Sequence, residues 1–151
     1  MTTRLPDWKE EELIPKRILF SEKMLRMRER GRHIIYADES TFLATARPGK
    51  TWMAGVRMDV EKNHPKLQSI TVYGAVTASL AKPVFMTSHT TNAEQFGRFI
   101  DHLSEKTRHL TGKPILVLDN HRAHKTFENM LKMKHHYEVL FQPAYSSEAN
   151  A

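Results

Sequence analysis

The sequence predicts an α/β domain in which a mixed β-sheet is covered by helices. Its 151 residues suit one domain, and 40% hydrophobic with 26% charged residues is typical of a globular chain. The first half contains mainly short strand-like segments, whereas the second half alternates helix and strand. A continuous apolar run at 114–118 is typical of a strand buried on both faces.

The N-terminal segment 1–32 is highly charged and is predicted to contain one helix over 15–30. Pro15 and Gly31 are residue types favoured at a helix start and just after a helix end. Ile18 and Leu25, with Ser21 and Met24 between them, would share one face. The acidic, polar N-terminus does not resemble a secretory signal, and no run of about 18 apolar residues predicts a membrane span.

Short strands are predicted throughout the first half, at 33–37, 51–57, 69–77 and 84–87. Turn signals at Pro48-Gly49 and Lys82-Pro83 separate them. Consecutive short strands with turns between them indicate an antiparallel meander.

The second half is predicted to run helix, strand, helix, strand. Thr91 and Glu94 have the spacing of a capping box, which would begin the first of these helices, and Gly112 would end it. One face of this helix is apolar, formed by Phe96, Phe99, Ile100, Leu103, Thr107 and Leu110. A second helix at 125–135 and a last strand at 137–141 complete the pattern.

The chain is basic and contains no cysteine. It has 23 Lys and Arg against 17 Asp and Glu, a net charge of +6, which is compatible with nucleic-acid binding. The absence of cysteine excludes disulfides, thiolate zinc sites, iron–sulfur clusters and a cysteine nucleophile. A reducing compartment is therefore permitted.

Asp38 and Asp119 each follow an apolar strand-like run, HIIYA and ILVL respectively. Ligand sites in open α/β sheets gather at the carboxyl ends of strands. If the two strands are neighbours, two carboxylates close together would repel and would favour a divalent cation. The alternative is that each aspartate is an ordinary strand-end or turn residue.

Other candidate ligands and stacking residues carry weaker signals. His121 with His124, and the pair His135-His136, have no third nitrogen or sulfur ligand at a telling spacing, so a solvated surface is favoured. Trp8 and Trp52 are interpreted as packing residues.

Several segments in order resemble the mariner superfamily of DDE transposases, over about residues 15–151. The first catalytic block matches YADESTF at 36–42 and RPGKTW at 47–52, and the second matches LVLDNHRAH at 116–124. Shorter matches are YGAV at 73–76, TNAEQF at 91–96 and QPAYSSEAN at 142–150.

This resemblance implies an RNase H-like domain over 33–151, with a mixed five-stranded sheet and helices on both faces. It implies that Asp38 and Asp119 are the first two of three acids that hold two Mg²⁺ or Mn²⁺ ions. Asn120 and His124 would support the second acid. The third acid is expected a few positions beyond the matching segment 142–150, and the sequence ends at Ala151 before that position. Glu148 corresponds to a lead-in position instead.

The implied function is a DNA transposase or integrase-type reaction, with phosphodiester cleavage and strand transfer inside the cell. DNA would be the partner, and a homodimer or larger assembly is expected. Arg47, Lys50, Arg122 and Lys125 follow the catalytic blocks and are candidates for phosphate contacts. Two alternatives stay open: a transposase-derived, inactive subunit that binds nucleic acid or protein, and an RNase H-type nuclease acting on RNA–DNA hybrids.

Overall fold

A computed structural model of the chain describes residues 7–43, 49–53, 56–60 and 69–143. In chain order the elements are α1 (Asp7–Glu29), β1 (Ile34–Leu43), β2 (Gly49–Met53), β3 (Val56–Val60), β4 (Ser69–Val76), β5 (Val84–Ser88), α2 (Ala93–Thr107), β6 (Ile115–Leu118), α3 (Phe127–His136) and β7 (Glu138–Phe141). A 3₁₀ turn, Arg122–Lys125, lies between β6 and α3.

The main sheet has five strands in the order β5-β4-β1-β6-β7, which confirms the predicted mixed sheet. β1 lies at its centre, antiparallel to β4 and parallel to β6. β4 pairs with β5 antiparallel, and β6 pairs with β7 parallel. The sheet therefore joins an antiparallel meander from the first half to a parallel second half, along β1.

The predicted strand over 51–57 is wrong. This part of the chain forms two strands, β2 and β3, which pair with each other antiparallel and form a separate two-stranded sheet. The apolar residues on which the prediction depended are thus divided between two strands. The large sheet continues instead from β1 directly to β4.

The main core lies between the sheet and helices α2 and α3. The apolar face predicted for α2 is confirmed, since Phe96, Phe99, Ile100 and Leu103 are all at most 1% exposed. They pack with sheet residues that include Ile35, Tyr73 and Leu116. Burial of each large apolar side chain contributes about 1.5–3 kcal/mol, so this face is the main attachment of α2.

The N-cap of helix α2 is Asn92 and not the predicted capping residue Thr91. The Asn92 side chain accepts a hydrogen bond from the Gln95 backbone N–H at 2.9 Å. The Thr91 hydroxyl is hydrogen-bonded to Thr71 on β4, so it does not serve the helix end. The Glu94 carboxylate accepts from Arg98 at 2.8 Å, one turn along the helix, and so the capping-box prediction is wrong.

The opposite face of the sheet is covered by α1, and helices on both faces are therefore confirmed. Met24 is buried against Ile115 and Val117, with Phe20 and Met27 packed at the edge of the same cluster. The predicted face of α1 is wrong in part, because Met24 is buried but Ile18 and Leu25 are 54% and 58% exposed. The described residues of α1 that pack in this cluster all lie in the C-terminal half of the helix.

The start of α1 also differs from the prediction, whereas its end agrees. The helix begins at Asp7, eight residues before Pro15, which lies inside it. Acidic residues before Pro15 favour the positive N-terminal end of a helix, and this supports the additional turns. Gly31 has φ of +66°, and the Arg32 N–H donates to the Met27 carbonyl at 3.1 Å, which closes the helix.

Candidate functional site

The two aspartates lie at neighbouring parallel strands near the centre of the sheet, Asp38 within β1 and Asp119 just after β6. Tyr36 on β1 is paired with Val117 on β6, and continuing this register by two residues sets Asp38 opposite Asp119. Asp119 directly follows β6, as predicted. Asp38 is not at a strand end, because β1 continues to Leu43 through its pairing with β4.

The pKa of Asp38 is raised above its usual value. Partial burial is the largest cause, and the negative charges of Glu39 and Asp119 add to it. A hydrogen bond of 2.9 Å from the Glu39 backbone N–H to Asp38 Oδ1 opposes the shift, as does the charge of His124. Asp38 therefore lies in a region of excess negative charge that a cation would relieve.

His124 joins the second aspartate to a third carboxylate. Its ring is 1% exposed, lies in the 3₁₀ turn and packs on the Phe96 ring at a centroid distance of 4.1 Å. Nδ1 lies 3.0 Å from Asp119 Oδ1, and Nε2 lies 3.0 Å from Glu39 Oε2. Burial lowers the pKa of His124, but the hydrogen bond to Glu39 and the negative charges of Glu39 and Asp119 raise it by more, so the net shift of the pKa is upward.

Asn120 connects the loop that follows β6 with the segment after β7. Its amide donates to the Gln142 carbonyl at 2.5 Å, and its Oδ1 accepts from Lys125 Nζ at 2.6 Å. The same ammonium group lies 4.9 Å from the centroid of the Phe141 ring. Asp119 Oδ1 also accepts from the His121 N–H at 2.9 Å, so the loop that holds Asp119 is braced from both sides.

Of the four predicted phosphate-contacting residues, the structure relates two to the aspartates. Arg122 and Lys125 are exposed at the two ends of the 3₁₀ turn that follows Asp119. Lys50 lies in β2, where only the backbone is described, as is also true of Trp52 in the same strand. Arg47 and Glu148 lie outside the described residues.

Glu39 is a site residue that the sequence reasoning did not select. Side chains alternate along β1, so Glu39 lies on the α2 face, where Ile35 and Ala37 are buried, while Asp38 lies on the other. Its Oε1 is 3.4 Å from His121 Nδ1, and Glu39, His121 and His124 offer ligand atoms within 4.8 Å of one another. The sequence feature that could have revealed Glu39 is its position directly after Asp38 in a strand, because two consecutive acids in a strand lie on opposite faces of the sheet.

The pair His135-His136 is separate from this cluster. The two rings are in contact at a centroid distance of 4.7 Å near the end of α3, and both side chains are exposed. Among the residues whose side chains are described, the only group of three potential metal ligands is Glu39, His121 and His124.

A family model described as DDE superfamily endonuclease matches residues 33–151. The chain belongs to this family. A search of curated proteins found no significant match. Among the described residues, no helix combines the length and apolar character that crossing a bilayer requires.

Solved structures of Mos1 mariner transposase share the fold of this DDE-family chain. The paired-end complex with Mn is 17% identical with a TM-score of 0.63, over 98% of this chain and 46% of that chain. The strand transfer complex is 16% identical with a TM-score of 0.64, over 97% and 45%. The isolated Mos1 catalytic domain is 17% identical with a TM-score of 0.59, over 99% and 68%. This DDE-family chain thus spans about half the length of the Mos1 chains in the complexes, and its RNase H-like fold is confirmed.

Proposed function

We propose that this chain is the catalytic domain of a DNA transposase, which cleaves phosphodiester bonds and transfers strands with the help of divalent metal ions. The observation that supports this most directly is the parallel register of β1 with β6, which, extended by two residues, sets Asp38 opposite Asp119 in a chain of the DDE family. A mixed sheet with acids at its centre suits this chemistry, because the strands fix the separation of the carboxylates.

The residues present fit a hard divalent cation. Asp38 and Asp119 supply oxygen ligands only, which Mg²⁺ and Mn²⁺ favour. Burial and the neighbouring negative charges of Glu39 and Asp119 raise the pKa of Asp38, and a bound cation would favour the charged carboxylate against both. When bound, the metal activates an attacking hydroxyl and stabilises the leaving oxygen of the phosphodiester.

The neighbouring side chains hold Asp119 in place. His124 Nδ1 and the His121 backbone N–H both contact Asp119 Oδ1, which leaves the second oxygen, Oδ2, with no hydrogen bond to a described residue. Glu39 fixes the His124 ring from its other nitrogen. In this proposal His124 is a positioning residue, and Asp119 offers Oδ2 to the metal.

DNA is the proposed substrate and partner. Arg122 and Lys125 are exposed beside Asp119, and the chain has a net charge of +6. Such contacts act on phosphates, so the affinity of this domain should fall steeply with salt and depend little on sequence. The similar Mos1 structures include a paired-end complex and a strand transfer complex, which supports an assembly on DNA ends as part of the proposal.

The test measures Mg²⁺ binding and DNA cleavage on the same variants. Backbone amide signals around Asp119 are followed by NMR during a Mg²⁺ titration, and nicking of short duplexes is measured with Mg²⁺ or Mn²⁺. Asp38→Asn and Asp119→Asn should each lose the Mg²⁺ response. Asp101→Asn is the matched control, because Asp101 is an exposed aspartate on α2 that pairs with Lys132.

A Mg²⁺ response that persists in both site variants would refute the assignment of the metal site. A chain that binds DNA and Mg²⁺ but never cuts DNA would instead favour the alternative of an inactive, transposase-derived subunit.

A further inference from the structure

A second cluster of potential ligands lies next to the aspartate pair but differs from it in chemistry. Glu39 directs one carboxylate oxygen toward each of two imidazole rings, at 3.4 Å from His121 Nδ1 and 3.0 Å from His124 Nε2. In a tetrahedral site with metal–ligand bonds of about 2.0–2.1 Å, ligand atoms lie roughly 3.3 Å apart. Each ring lies at about this spacing from a different oxygen of Glu39, and one ligand atom from each of the three residues lies within 4.8 Å of the others.

Two of the three residues of the cluster, His124 and Glu39, are largely buried and held in place by their neighbours. His124 is buried and packed on Phe96, and Asp119 holds its Nδ1. A carboxylate on the far nitrogen of an imidazole is the usual outer-shell partner of a metal-ligating histidine, because it fixes the ring and its tautomer. Glu39 is only 13% exposed, whereas His121 is 49% exposed, so His121 can adjust and an ion can enter from its side.

A buried hydroxyl with no partner lies beside the same carboxylate. Tyr73 on β4 is directly opposite Glu39 in the antiparallel register, and the Glu39 charge contributes to the raised pKa of Tyr73. The nearby Asn92 backbone opposes the rise in the pKa of Tyr73, and by distance and angle the hydroxyl has no hydrogen-bond partner among the described residues. Buried hydroxyls normally find a partner, so this donor is available to an added group such as a metal-bound water.

We propose that Glu39, His121 and His124 form a binding site for a transition-metal ion of the Zn²⁺ class, separate from the Mg²⁺ site at Asp38 and Asp119. Two imidazoles and one carboxylate are a donor set that Zn²⁺ and Co²⁺ favour over Mg²⁺. Three protein ligands leave a fourth position for water on the side of His121. The ion takes the place of the proton that His124 Nε2 shares with Glu39, and that proton is released to solvent.

The proposal does not depend on the proposed transposase activity, and Co²⁺ tests it without any DNA. Co²⁺ is added to the 151-residue chain, its visible absorption reports the coordination, and Zn²⁺ is then added as a competitor. We expect a tetrahedral Co²⁺ spectrum that Zn²⁺ abolishes and that excess Mg²⁺ leaves in place.

His121→Ala is the main variant, because the half-exposed side chain can be removed without opening the core, and Glu39→Gln is the second. Each of these two substitutions should weaken Co²⁺ binding at least about tenfold, because even the loss of a residue that only supports a metal ligand lowers metal affinity by about that factor. His135→Ala is the matched control, because it removes an exposed histidine from the other histidine pair. Circular dichroism of each variant checks that the fold is kept.

Three results would overturn the proposal: no Co²⁺ binding by the parent chain, binding that His121→Ala and Glu39→Gln leave unchanged, or binding that is lost only in His135→Ala. Asp38→Asn distinguishes the two sites. It should remove the Mg²⁺ response of the proposed active site and retain the Co²⁺ spectrum, so either proposal can fail without the other.

Discussion

Replacement of His124 by Phe tests whether this buried ring positions Asp119 for metal binding. Phe keeps a ring packed on Phe96 but removes the two nitrogens that contact Asp119 and Glu39, each at 3.0 Å. A hydrogen bond to a charged group contributes about 1.5–3 kcal/mol. If the contact between His124 and Asp119 serves to orient the Asp119 carboxylate, loss of that contact should weaken Mg²⁺ binding by roughly 10- to 100-fold, since 1.4 kcal/mol corresponds to a factor of ten.

The assay is the Mg²⁺ titration followed by NMR, together with urea unfolding of the same protein. We expect the free energy of unfolding to fall by about 3 kcal/mol, because the largely buried Glu39 carboxylate loses the nearer of its two histidine partners. His102→Ala is the control, because it removes a partly exposed histidine from α2, far along the chain from the site. A folded His124→Phe protein with unchanged Mg²⁺ affinity would refute the positioning role.

Three further predictions concern the fold that supports the site. The buried Tyr137 hydroxyl is hydrogen-bonded to Thr107 at 2.8 Å, and burial raises the pKa of Tyr137 to about 12. Because the unfolded value is near 10, the contribution of Tyr137 to stability should be constant below pH 10 and fall by about 2–3 kcal/mol as the pH rises toward 12; urea unfolding at several pH values measures this loss, which Tyr137→Phe should remove. Leu103→Ala should lower the unfolding free energy by about 2–5 kcal/mol, because Leu103 is 0% exposed in the main core; a loss under 1 kcal/mol in urea unfolding would contradict that packing. Gly31→Ala should cost only about 1 kcal/mol in thermal unfolding, since φ is +66° but no atom lies within 4 Å of the added Cβ; a large loss would point to a contact that the structure does not show.

Local periodicity predicted the parts of the fold that depend on neighbours in sequence. The apolar face of α2 and the fully buried strand β6 both follow from patterns that span a few residues. The error at the start of α2 arose because a residue distant in sequence competes. Thr91 is a good capping residue by itself, but its hydroxyl is hydrogen-bonded to Thr71 on a neighbouring strand.

In the candidate site, too, the residues with a local sequence signal were predicted and the residue whose partners are distant in sequence was not. Asp38 and Asp119 were predicted because each follows an apolar run, and the resemblance to a family assigned them a role. Glu39 was missed because its partners, His121 and His124, are more than 80 residues away in sequence. Only the parallel pairing of β1 with β6 brings them together, and no spacing within either segment encodes that contact.

The central position of β1 has a consequence for the order of folding. Its antiparallel partner β4 follows within 40 residues, from Tyr36 to Val76, whereas its parallel partner β6 is 81 residues away, from Ile34 to Ile115. Doubling the length of a loop adds only about 0.6 kcal/mol of closure entropy, but contacts of longer range form more slowly. The meander of β1, β4 and β5 should therefore assemble before β6 docks. Both carboxylates of the proposed active site come together only in that late step, so partly folded chains would present Asp38 without Asp119 and would be unable to hold the metal prematurely.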